Sequence, residues 1–275
     1  MSQTPRAAVL GKPISHSLSP KLHGYWLNRY DIAGEYTAIE VAEGDLERTL
    51  AELPKQGFVG VNVTIPHKVN VLKYAANVTD RATLIGAANT LTFKEDGRIF
   101  ADNTDGYGFL ANLRQNAPDW DPKAGPAAIF GAGGAARAVI VALAEAGVPE
   151  IIIANRTRVK AEALRDEFGA RLSVVDWVQA DMMLDEARTV VNTTSLGMAG
   201  AAEFKVSLDG LRKDAVVTDI VYNPLMTPFL RAAQEKGCQI VDGLGMLLHQ
   251  GVPGFERWFG QRPEVDAATR EAVLT

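Results

Sequence analysis

The chain has 275 residues, with 28 Lys and Arg against 33 Asp and Glu, a formal net charge of −5 and a sequence pI near 5.5. Hydrophobic residues make up 47% and charged residues 22%, which is ordinary for a soluble globular protein of about two domains. The acidic balance argues against a general nucleic-acid binder, and the longest stretch without a charge, residues 189–202, is too short and too polar to cross a bilayer.

Cysteine and histidine usage narrows the compartment and the chemistry. Cys238 is the single cysteine, so no internal disulfide can form, and the first residues lack a signal-peptide pattern. We therefore expect a cytoplasmic protein with no membrane partner. The four histidines have no cysteine partners and no metal-ligand spacing, so we expect no metal site.

Strand-like and helix-like segments alternate along the first hundred residues, a pattern typical of α/β proteins. The predicted elements are a strand at 6–10, a helix at 19–30, a strand at 35–41, a helix at 44–53, a strand at 58–63, a helix from about residue 67, and strands at 87–93 and 98–101. Ser19 is predicted to cap the first helix, with Pro20 in its first turn. Asp96 and Gly97 form a turn signal that joins the last two strands in a hairpin.

A helix predicted at 105–116 connects this region to a second one, so we place the domain change near residue 102 and assign residues 103–242 to the second domain. The order from Ala127 is strand, Gly-rich turn, helix, strand, helix and strand, which is a βαβαβ unit. Its later elements are predicted at 150–154, 157–168 and 172–175, with further strands at 189–192, 215–220 and 238–241 and a helical tail from residue 243.

The Gly-rich turn predicts a dinucleotide site. Gly131, Gly133 and Ala136 follow a predicted strand and open a helix, matching the Ala-ending form of the Gly-x-Gly-x-x-Gly fingerprint. Glycines at these positions permit a tight turn and let backbone N–H groups approach a pyrophosphate.

The end of the following strand favours NADP over NAD. An NAD site normally has an acidic residue there, whereas this chain has Asn155, Arg156 and Thr157, with Lys160 beyond. No acid repels a 2′-phosphate, and the Arg156 guanidinium is suited to bind one, with Arg158 and Lys160 adding positive charge.

Polar clusters interrupt the apolar strands of the first domain at their predicted carboxyl ends, where open α/β sheets bind ligands. These clusters lie at residues 15–17, 62–64, 89–90 and 102–106. They supply hydroxyls and amides with few charges, so they favour a small polyhydroxylated ligand over a phosphate or a nucleic acid.

Taken together, these segments resemble the shikimate dehydrogenase family over essentially the whole chain and in the family's order. The resemblance is carried by residues 11–20, 62–68, 86–90, 103–106, 131–135, 155–157, 192–198, 219–224 and 243–250. It implies an N-terminal α/β substrate-binding domain, residues 1–102, to which the C-terminal helices at 243–275 return. It also implies a Rossmann-type, doubly wound NADP-binding domain, with the site in the interdomain cleft.

The implied activity is the reversible NADPH-dependent reduction of 3-dehydroshikimate to shikimate in aromatic amino acid (chorismate) biosynthesis. The motifs imply that Lys68 and Asp105 are the catalytic pair. The implied substrate-binding residues are Ser15 and Ser17 for the carboxylate, Asn62, Thr64, Lys68, Asn89, Asp105 and Gln250 for the hydroxyls and the reacting oxygen, and Tyr222 nearby. The cofactor residues are Gly131, Ala132, Gly133, Gly134, Ala135, Asn155, Arg156, Thr157 and Lys160, with Thr194, Ile220, Gly243 and Met246 on the nicotinamide side.

The chemistry of ketone reduction fits Lys68. Hydride transfer to a ketone leaves a developing alkoxide, which an ammonium group can stabilise and protonate. The sequence leaves open whether Lys68 or Asp105 formally transfers the proton. We expect none of His16, His67 and His249 to act as the base.

Three alternative functions remain open from the sequence. They are a quinate/shikimate dehydrogenase that uses NAD, an aminoshikimate paralogue, and a non-catalytic nucleotide-sensing protein on the same fold. The residues at 155–157 argue against the first, and the presence of both Lys68 and Asp105 argues against the last. The oligomeric state, monomer or homodimer, is also open.

Overall fold

The computed structural model describes residues 4–275 and divides the chain into two compact units. One unit comprises the chain up to Gly108 together with Leu247–Thr275, and the other comprises Phe109–Met246. Each unit has its own six-stranded sheet. Among the described residues, no helix combines the length and the apolar character that a membrane crossing requires.

The first unit is built on a mixed sheet with the strand order β2-β1-β3-β5-β6-β4. Its elements are β1 (Arg6–Gly11), α1 (Ser19–Arg29), β2 (Glu35–Glu40), α2 (Leu46–Glu52), β3 (Phe58–Val63), β4 (Asn77–Val78), α3 (Asp80–Ile85), β5 (Thr90–Phe93), β6 (Ile99–Asp102) and the start of α4 (Asp105–Asn116). Strands β1, β2 and β3 are parallel, whereas β5 is antiparallel to both β3 and β6. Thr90 lies opposite both Asn62 and Asp102, so the amino end of β5 meets the carboxyl ends of its neighbours.

Three predictions for this unit were wrong in detail. The chain from residue 67 is not a regular helix but a turn followed by a 3-10 helix at Asn70–Tyr74. The Lys68 carbonyl accepts a hydrogen bond from the Ala88 N–H at 2.8 Å, which removes that carbonyl from a helical ladder. Ser19 is the first helical residue rather than the N-cap, a position that Leu18 occupies. The polar pair Asn89 and Thr90 lies at the amino end of β5, not the carboxyl end. Because β5 is antiparallel to β3 and β6, this end still lies beside the carboxyl ends of those strands.

The second unit contains the all-parallel sheet that the sequence predicts, with the order β12-β11-β10-β7-β8-β9. Its elements are β7 (Ala127–Phe130), α5 (Gly134–Ala146), β8 (Ile151–Ala154), α6 (Arg158–Phe168), β9 (Leu172–Val175), β10 (Thr189–Asn192), β11 (Val216–Asp219), α7 (Pro228–Glu235) and β12 (Gln239–Val241). The strand order reverses between β7 and β10, and ligands of doubly wound sheets bind at such a switch point.

Both faces of this parallel sheet are covered, which explains its continuous apolar strands. Ile129 belongs to one core cluster with Leu143, while the next residue, Phe130, belongs to the opposite one with Phe229. Successive side chains of a strand point to opposite faces, so an apolar residue is needed at every position.

The remaining helices are α8 (Leu244–Phe259) and α9 (Ala267–Leu274). Both changes from one unit to the other fall inside helices, between residues 108 and 109 in α4 and between 246 and 247 in α8. The predicted boundaries at residues 102 and 242 lie instead at the ends of strands, since a break in the sequence pattern is visible only where an element ends.

In the first unit, α8 is held against the sheet by Trp258. Its indole Nε1 donates a hydrogen bond to the Leu91 carbonyl at 3.0 Å. A Cβ added at Gly60 would collide with both the Trp258 indole and that carbonyl. Glycine at position 60 is therefore required for the close approach of the helix.

Candidate active site

A partly buried ion pair follows the carboxyl ends of β3 and β6, which lie beside the amino end of β5 in the sheet of the first unit. The Lys68 Nζ is 2.6 Å from the Asp105 Oδ2, and the two side chains are 18% and 6% exposed. Lys68 lies in the turn after β3, and Asp105 is the first residue of α4, where the helix dipole favours a negative charge. The pair thus holds an ammonium group at a partly open position against a buried carboxylate.

Asn89 connects this pair to the neighbouring loops. Its Nδ2 donates to the Asp105 Oδ1 at 2.8 Å and lies 3.0 Å from both the Thr104 Oγ1 and the Gln250 Oε1. Its Oδ1 accepts from the Thr104 N–H at 2.8 Å. The Thr104 hydroxyl in turn donates to the Gln250 carbonyl at 2.8 Å, which fixes α8 beside the pair. Four residues predicted to act together, Lys68, Asn89, Asp105 and Gln250, are therefore neighbours.

Asn62, which the resemblance implies to be a substrate ligand, is bonded to other residues of the protein. Both polar atoms of its amide are already bonded within the protein, and the side chain is buried. The Oδ1 accepts from the Tyr36 hydroxyl at 2.7 Å, and the Nδ2 donates to the Asn89 carbonyl at 3.1 Å. Asn62 thus contacts the backbone carbonyl of Asn89. Its role as a direct substrate ligand stays a prediction.

The loop with Ser15 and Ser17 is tied to the turn that carries Thr64. The Lys12 N–H donates to the Ile65 carbonyl, and the Thr64 N–H donates to the Leu10 carbonyl, both at 2.9 Å. Ser15 is exposed and Ser17 is half-buried. The Ser17 Oγ accepts from the Ser19 N–H at 3.3 Å, so its own hydrogen remains available to a ligand.

Asp102 belongs to a predicted polar cluster but has a structural role. Its carboxylate is fully buried and accepts from Arg81 at 2.9 Å and from Arg257 at 2.5 Å. Burial raises the pKa of Asp102, but the hydrogen bonds from the two guanidinium groups outweigh it and hold that pKa below its ordinary value. No local motif signals this pairing, because Arg257 lies 155 residues away in the chain.

Three of the four histidines, His23, His67 and His249, are fully or partly buried. His67 is buried, and its Nε2 lies 2.8 Å from the Val41 carbonyl. Burial lowers the pKa of His249 to about 4 and that of His23 to about 3. Among residues 4–275, neither ring nitrogen of His23 has a hydrogen-bond partner.

The Gly-rich turn of the second unit has the geometry of a phosphate-binding loop. Gly131 has a φ of 109°, and a Cβ there would lie 2.7 Å from the Thr193 hydroxyl. Gly133 is the N-cap of α5, and within the described part of the chain nothing lies within 4 Å of the place its Cβ would occupy. The first turn of α5 has free backbone N–H groups and no acidic residue, so an anion fits at this helix end.

The basic residues after β8 fall into two groups. Asn155 forms the turn by donating to the Thr157 carbonyl at 2.8 Å, and Arg156 and Lys160 are exposed without an ion pair among residues 4–275. Arg158 instead pairs with Asp176 at 2.6 Å and also with Glu162. Arg158 donates to Asp176, and this hydrogen bond is the main reason that the pKa of Arg158 is raised. A contribution of Arg158 to binding the cofactor phosphate stays a prediction.

Two loops at the switch point are held by a buried carboxylate. The Asn192 amide accepts from the Thr194 N–H and hydroxyl and donates to the Asp219 Oδ1 at 3.0 Å. Asp219 also accepts from the Val221 N–H at 3.0 Å and the Thr227 hydroxyl at 2.8 Å. Burial raises the pKa of Asp219 to about 6.

The other residues predicted on the nicotinamide side lie near these loops. A Cβ at Gly243 would collide with the Ile220 carbonyl, so the end of β12 packs closely on that loop. Met246 is buried in the same core cluster that Ile220 packs against. Tyr222 is half-buried, and burial raises the pKa of its phenol.

Family models and relatives match nearly the whole chain. A model described as the shikimate dehydrogenase substrate binding domain matches residues 9–91, one described as shikimate/quinate 5-dehydrogenase matches 115–217, and one described as the shikimate 5′-dehydrogenase C-terminal domain matches 243–274. A shikimate dehydrogenase (NADP(+)) of Cereibacter sphaeroides is 64% identical over 100% of this chain and 98% of its own. The chain belongs to the shikimate dehydrogenase family.

Solved structures of shikimate dehydrogenase relatives have the same fold. Shikimate 5-dehydrogenase from Thermus thermophilus, in complex with NADP(H) and shikimate, has a TM-score of 0.88 and 39% identity over 98% of this chain and 99% of that one. Quinate dehydrogenase from Corynebacterium glutamicum, in complex with NAD, has a TM-score of 0.90 and 30% identity over 98% of this chain and 99% of that one. The fold is thus shared by members with different substrates and cofactors.

Proposed function

We propose that this chain is an NADP-dependent shikimate dehydrogenase, which reduces 3-dehydroshikimate to shikimate with NADPH and catalyses the reverse reaction. The observation that carries the proposal is the Lys68–Asp105 ion pair at 2.6 Å, bonded through Asn89 to Gln250. The full-length relatives at 57–64% identity are named for this activity and cofactor. The domain assignment that we propose is substrate binding by residues 1–102 and 243–275, and NADP binding by residues 103–242.

The second unit fits NADP. The N-terminus of α5 and the glycines at 131 and 133 would take the pyrophosphate, while Arg156 and Thr157 would take the 2′-phosphate. Thr157 lies at the N-cap of α6, and its hydroxyl makes no capping bond, so it remains available. When bound, the cofactor supplies or accepts the hydride.

We assign the proton transfer to residues of the first unit. In the reduction, the Lys68 ammonium would donate a hydrogen bond to the ketone oxygen and then its proton as negative charge develops there. Asp105 keeps the ammonium oriented and would accept a hydrogen bond from the neighbouring substrate hydroxyl. A charged donor already held at 2.6 Å by its partner needs little rearrangement during the reaction.

The remaining polar side chains would orient the substrate. We assign Ser15 and Ser17 to the carboxylate and Thr64, Asn89 and Gln250 to the hydroxyls. The proposed nicotinamide contacts, Thr194, Ile220, Gly243 and Met246, and the position of Tyr222 near the substrate follow the family's motifs. We also propose a cytoplasmic enzyme, a monomer or homodimer, without a nucleic-acid partner.

A crossed assay tests the proposal. Shikimate and quinate are each incubated with NADP⁺ and with NAD⁺, and formation of the reduced nicotinamide is followed by absorbance. We expect turnover to be fastest with shikimate and NADP⁺. Faster turnover of quinate with NAD⁺ would support the quinate dehydrogenase alternative, and no turnover with any pair would refute the enzymatic function.

A further inference from the structure

Tyr36 is a residue of β2, and its side chain is buried. Its hydroxyl is 2.7 Å from the Asn62 Oδ1. The phenol ring is stacked on His23, with ring centroids 3.8 Å apart and planes inclined by 5°. The ring position is therefore fixed by packing, and the hydroxyl meets Asn62 in one geometry.

The direction of this hydrogen bond follows from the other partners of Asn62. The Asn62 Nδ2 faces the Asn89 backbone carbonyl, which can only accept, so the Oδ1 must face Tyr36. Tyr36 consequently donates its single hydrogen to Asn62. Burial raises the pKa of the phenol well above its ordinary value, so this donor stays protonated.

The bonds continue in the same direction toward the ion pair. The Asn62 Nδ2 donates to the Thr90 Oγ1 at 3.2 Å, and the Thr90 hydroxyl donates to the Asn89 Oδ1 at 2.9 Å. The Asn89 Nδ2 then donates to the Asp105 Oδ1. Asn62 thus holds both the backbone carbonyl and, through Thr90, the side-chain amide of Asn89.

The end of this series at Tyr36 lies close to α1. The Ser19 side chain acts on the Tyr36 hydroxyl and lowers the pKa of the phenol, against the larger raising effect of burial. Ser19 is buried in the first turn of α1. A series of donors therefore runs from Tyr36 on β2 through β3 and β5 to the carboxylate beside Lys68.

We propose that Tyr36 is a positioning residue for the reaction, acting through Asn62 to hold Asn89 against Asp105. The inference rests on the proposed function, since it concerns the geometry of the same reacting pair. In the part of the chain that the structure describes, Tyr36 has no hydrogen bond to Lys68 or Asp105, so its effect should be on turnover rather than on cofactor binding.

The test begins with Tyr36→Phe, which keeps the ring stacked on His23 and removes only the hydroxyl. We expect kcat for shikimate oxidation to fall about tenfold, because small displacements of catalytic groups cost rate steeply, while the KM for NADP⁺ is unchanged. Tyr30→Phe is the matched control. The Tyr30 hydroxyl also accepts a hydrogen bond in this unit, from the Glu264 N–H at 2.9 Å, but it lies outside the series of bonds.

A double-mutant cycle with Asn62→Ala separates positioning from general loosening of the fold. If Tyr36 acts through Asn62, Tyr36→Phe should change kcat by less than about twofold in the Asn62→Ala background. Thermal denaturation of all variants accompanies the kinetics, and Tyr30→Phe is expected to leave kcat unchanged.

The outcomes distinguish the inference from the function it rests on. A wild-type enzyme without shikimate activity would overturn both. An active wild type whose Tyr36→Phe variant keeps its kcat, or a variant that loses kcat equally in the Asn62→Ala background, would overturn the positioning role alone.

Discussion

Asp219 should make the second unit lose stability as the pH rises through the weakly acidic range. Its carboxylate is buried, and its hydrogen-bond partners, Asn192, Val221 N–H and Thr227, are all uncharged. Asparagine fits the same place, since its oxygen can accept from Asn192 and Val221 and its NH₂ can donate to the Thr227 hydroxyl. Asp219→Asn therefore removes the titration and keeps the bonds from Asn192 and Val221, while the bond with Thr227 reverses its direction.

The size of the effect follows from the difference in the pKa of Asp219 between the folded and unfolded states. The ordinary pKa is 3.8, and burial raises the folded value to about 6. Between these values the unfolded chain releases a proton that the folded chain retains, so the unfolding free energy falls as pH rises. At about 1.36 kcal/mol for each pKa unit, the loss is about 3 kcal/mol, complete above pH ~7.

The assay is urea unfolding of wild type and Asp219→Asn at several pH values from about 4 to 7, with the slope against urea checked at each pH. Trp120 and Trp177 lie in the second unit and report its unfolding by fluorescence. Asp209→Asn is the control. The Ser207 hydroxyl is the main cause that lowers the pKa of exposed Asp209, so its titration falls below this pH range.

Because the unfolded carboxyl is already partly ionised at pH ~4, we expect the wild type to lose about 2 kcal/mol more than Asp219→Asn between pH ~4 and ~7. Asp209→Asn should follow the wild type. Equal losses in wild type and Asp219→Asn would mean that the carboxylate ionises at its ordinary pKa despite burial, which would refute the reasoning.

Three further predictions concern catalysis, cofactor choice and packing. Lys68→Ala should lower kcat by about 10²–10⁴-fold with little change in shikimate affinity, measured by steady-state kinetics and direct binding, and near-normal turnover would remove Lys68 from the chemistry. Arg156→Ala should raise the KM for NADP⁺ about tenfold or more and leave NAD⁺ kinetics unchanged, and equal effects on both cofactors would argue against a 2′-phosphate contact. Gly60→Ala should lower the free energy of unfolding by about 3 kcal/mol, because its methyl would collide with Trp258 and the Leu91 carbonyl. Thermal or urea unfolding measures this loss, and an unchanged stability would contradict the packing given for α8.

The second unit is the part of the fold that local sequence predicts well. Its strands are buried on both faces, so each appears as an apolar run bounded by turn residues. The Gly131–Gly133 turn falls between a strand and a helix as predicted, and the strand at 172–175 has the predicted bounds. The helix α7 was not predicted, although Thr227 caps it and Pro228 begins it.

In the first unit, the sequence could not predict features that depend on distant partners. The segment after Pro66 follows a path set by the bond between the Lys68 carbonyl and the Ala88 N–H. The direction of β5 likewise depends on its pairing with β3 rather than on its own residues. Local periodicity contains no information about either.

The candidate site likewise combines residues that local motifs predict with contacts that depend on distant partners. Motifs predicted Lys68, Asn89 and Asp105, and in the structure Lys68 and Asn89 each donate a hydrogen bond to Asp105. They did not predict that Asn62 would be bonded to Tyr36, because a tyrosine in a strand with alternating burial has the pattern of an ordinary core residue. A buried polar group that bonds a site residue can be recognised only when its hydrogen-bond partner is known.

The hairpin of β5 and β6 offers a place to attach a label. Its tip, residues 94–98, is exposed and closed by the bond from the Lys94 N–H to the Arg98 carbonyl at 2.9 Å. Each strand has four residues, so at about 3.3 Å per residue the tip lies about 13 Å from the end of the strands that carries Asn89 and Asp102. A peptide tag or a fluorescent reporter inserted between Glu95 and Gly97 would extend into solvent at the end of the strands away from the ion pair, which would allow the enzyme to be immobilised or followed in cells.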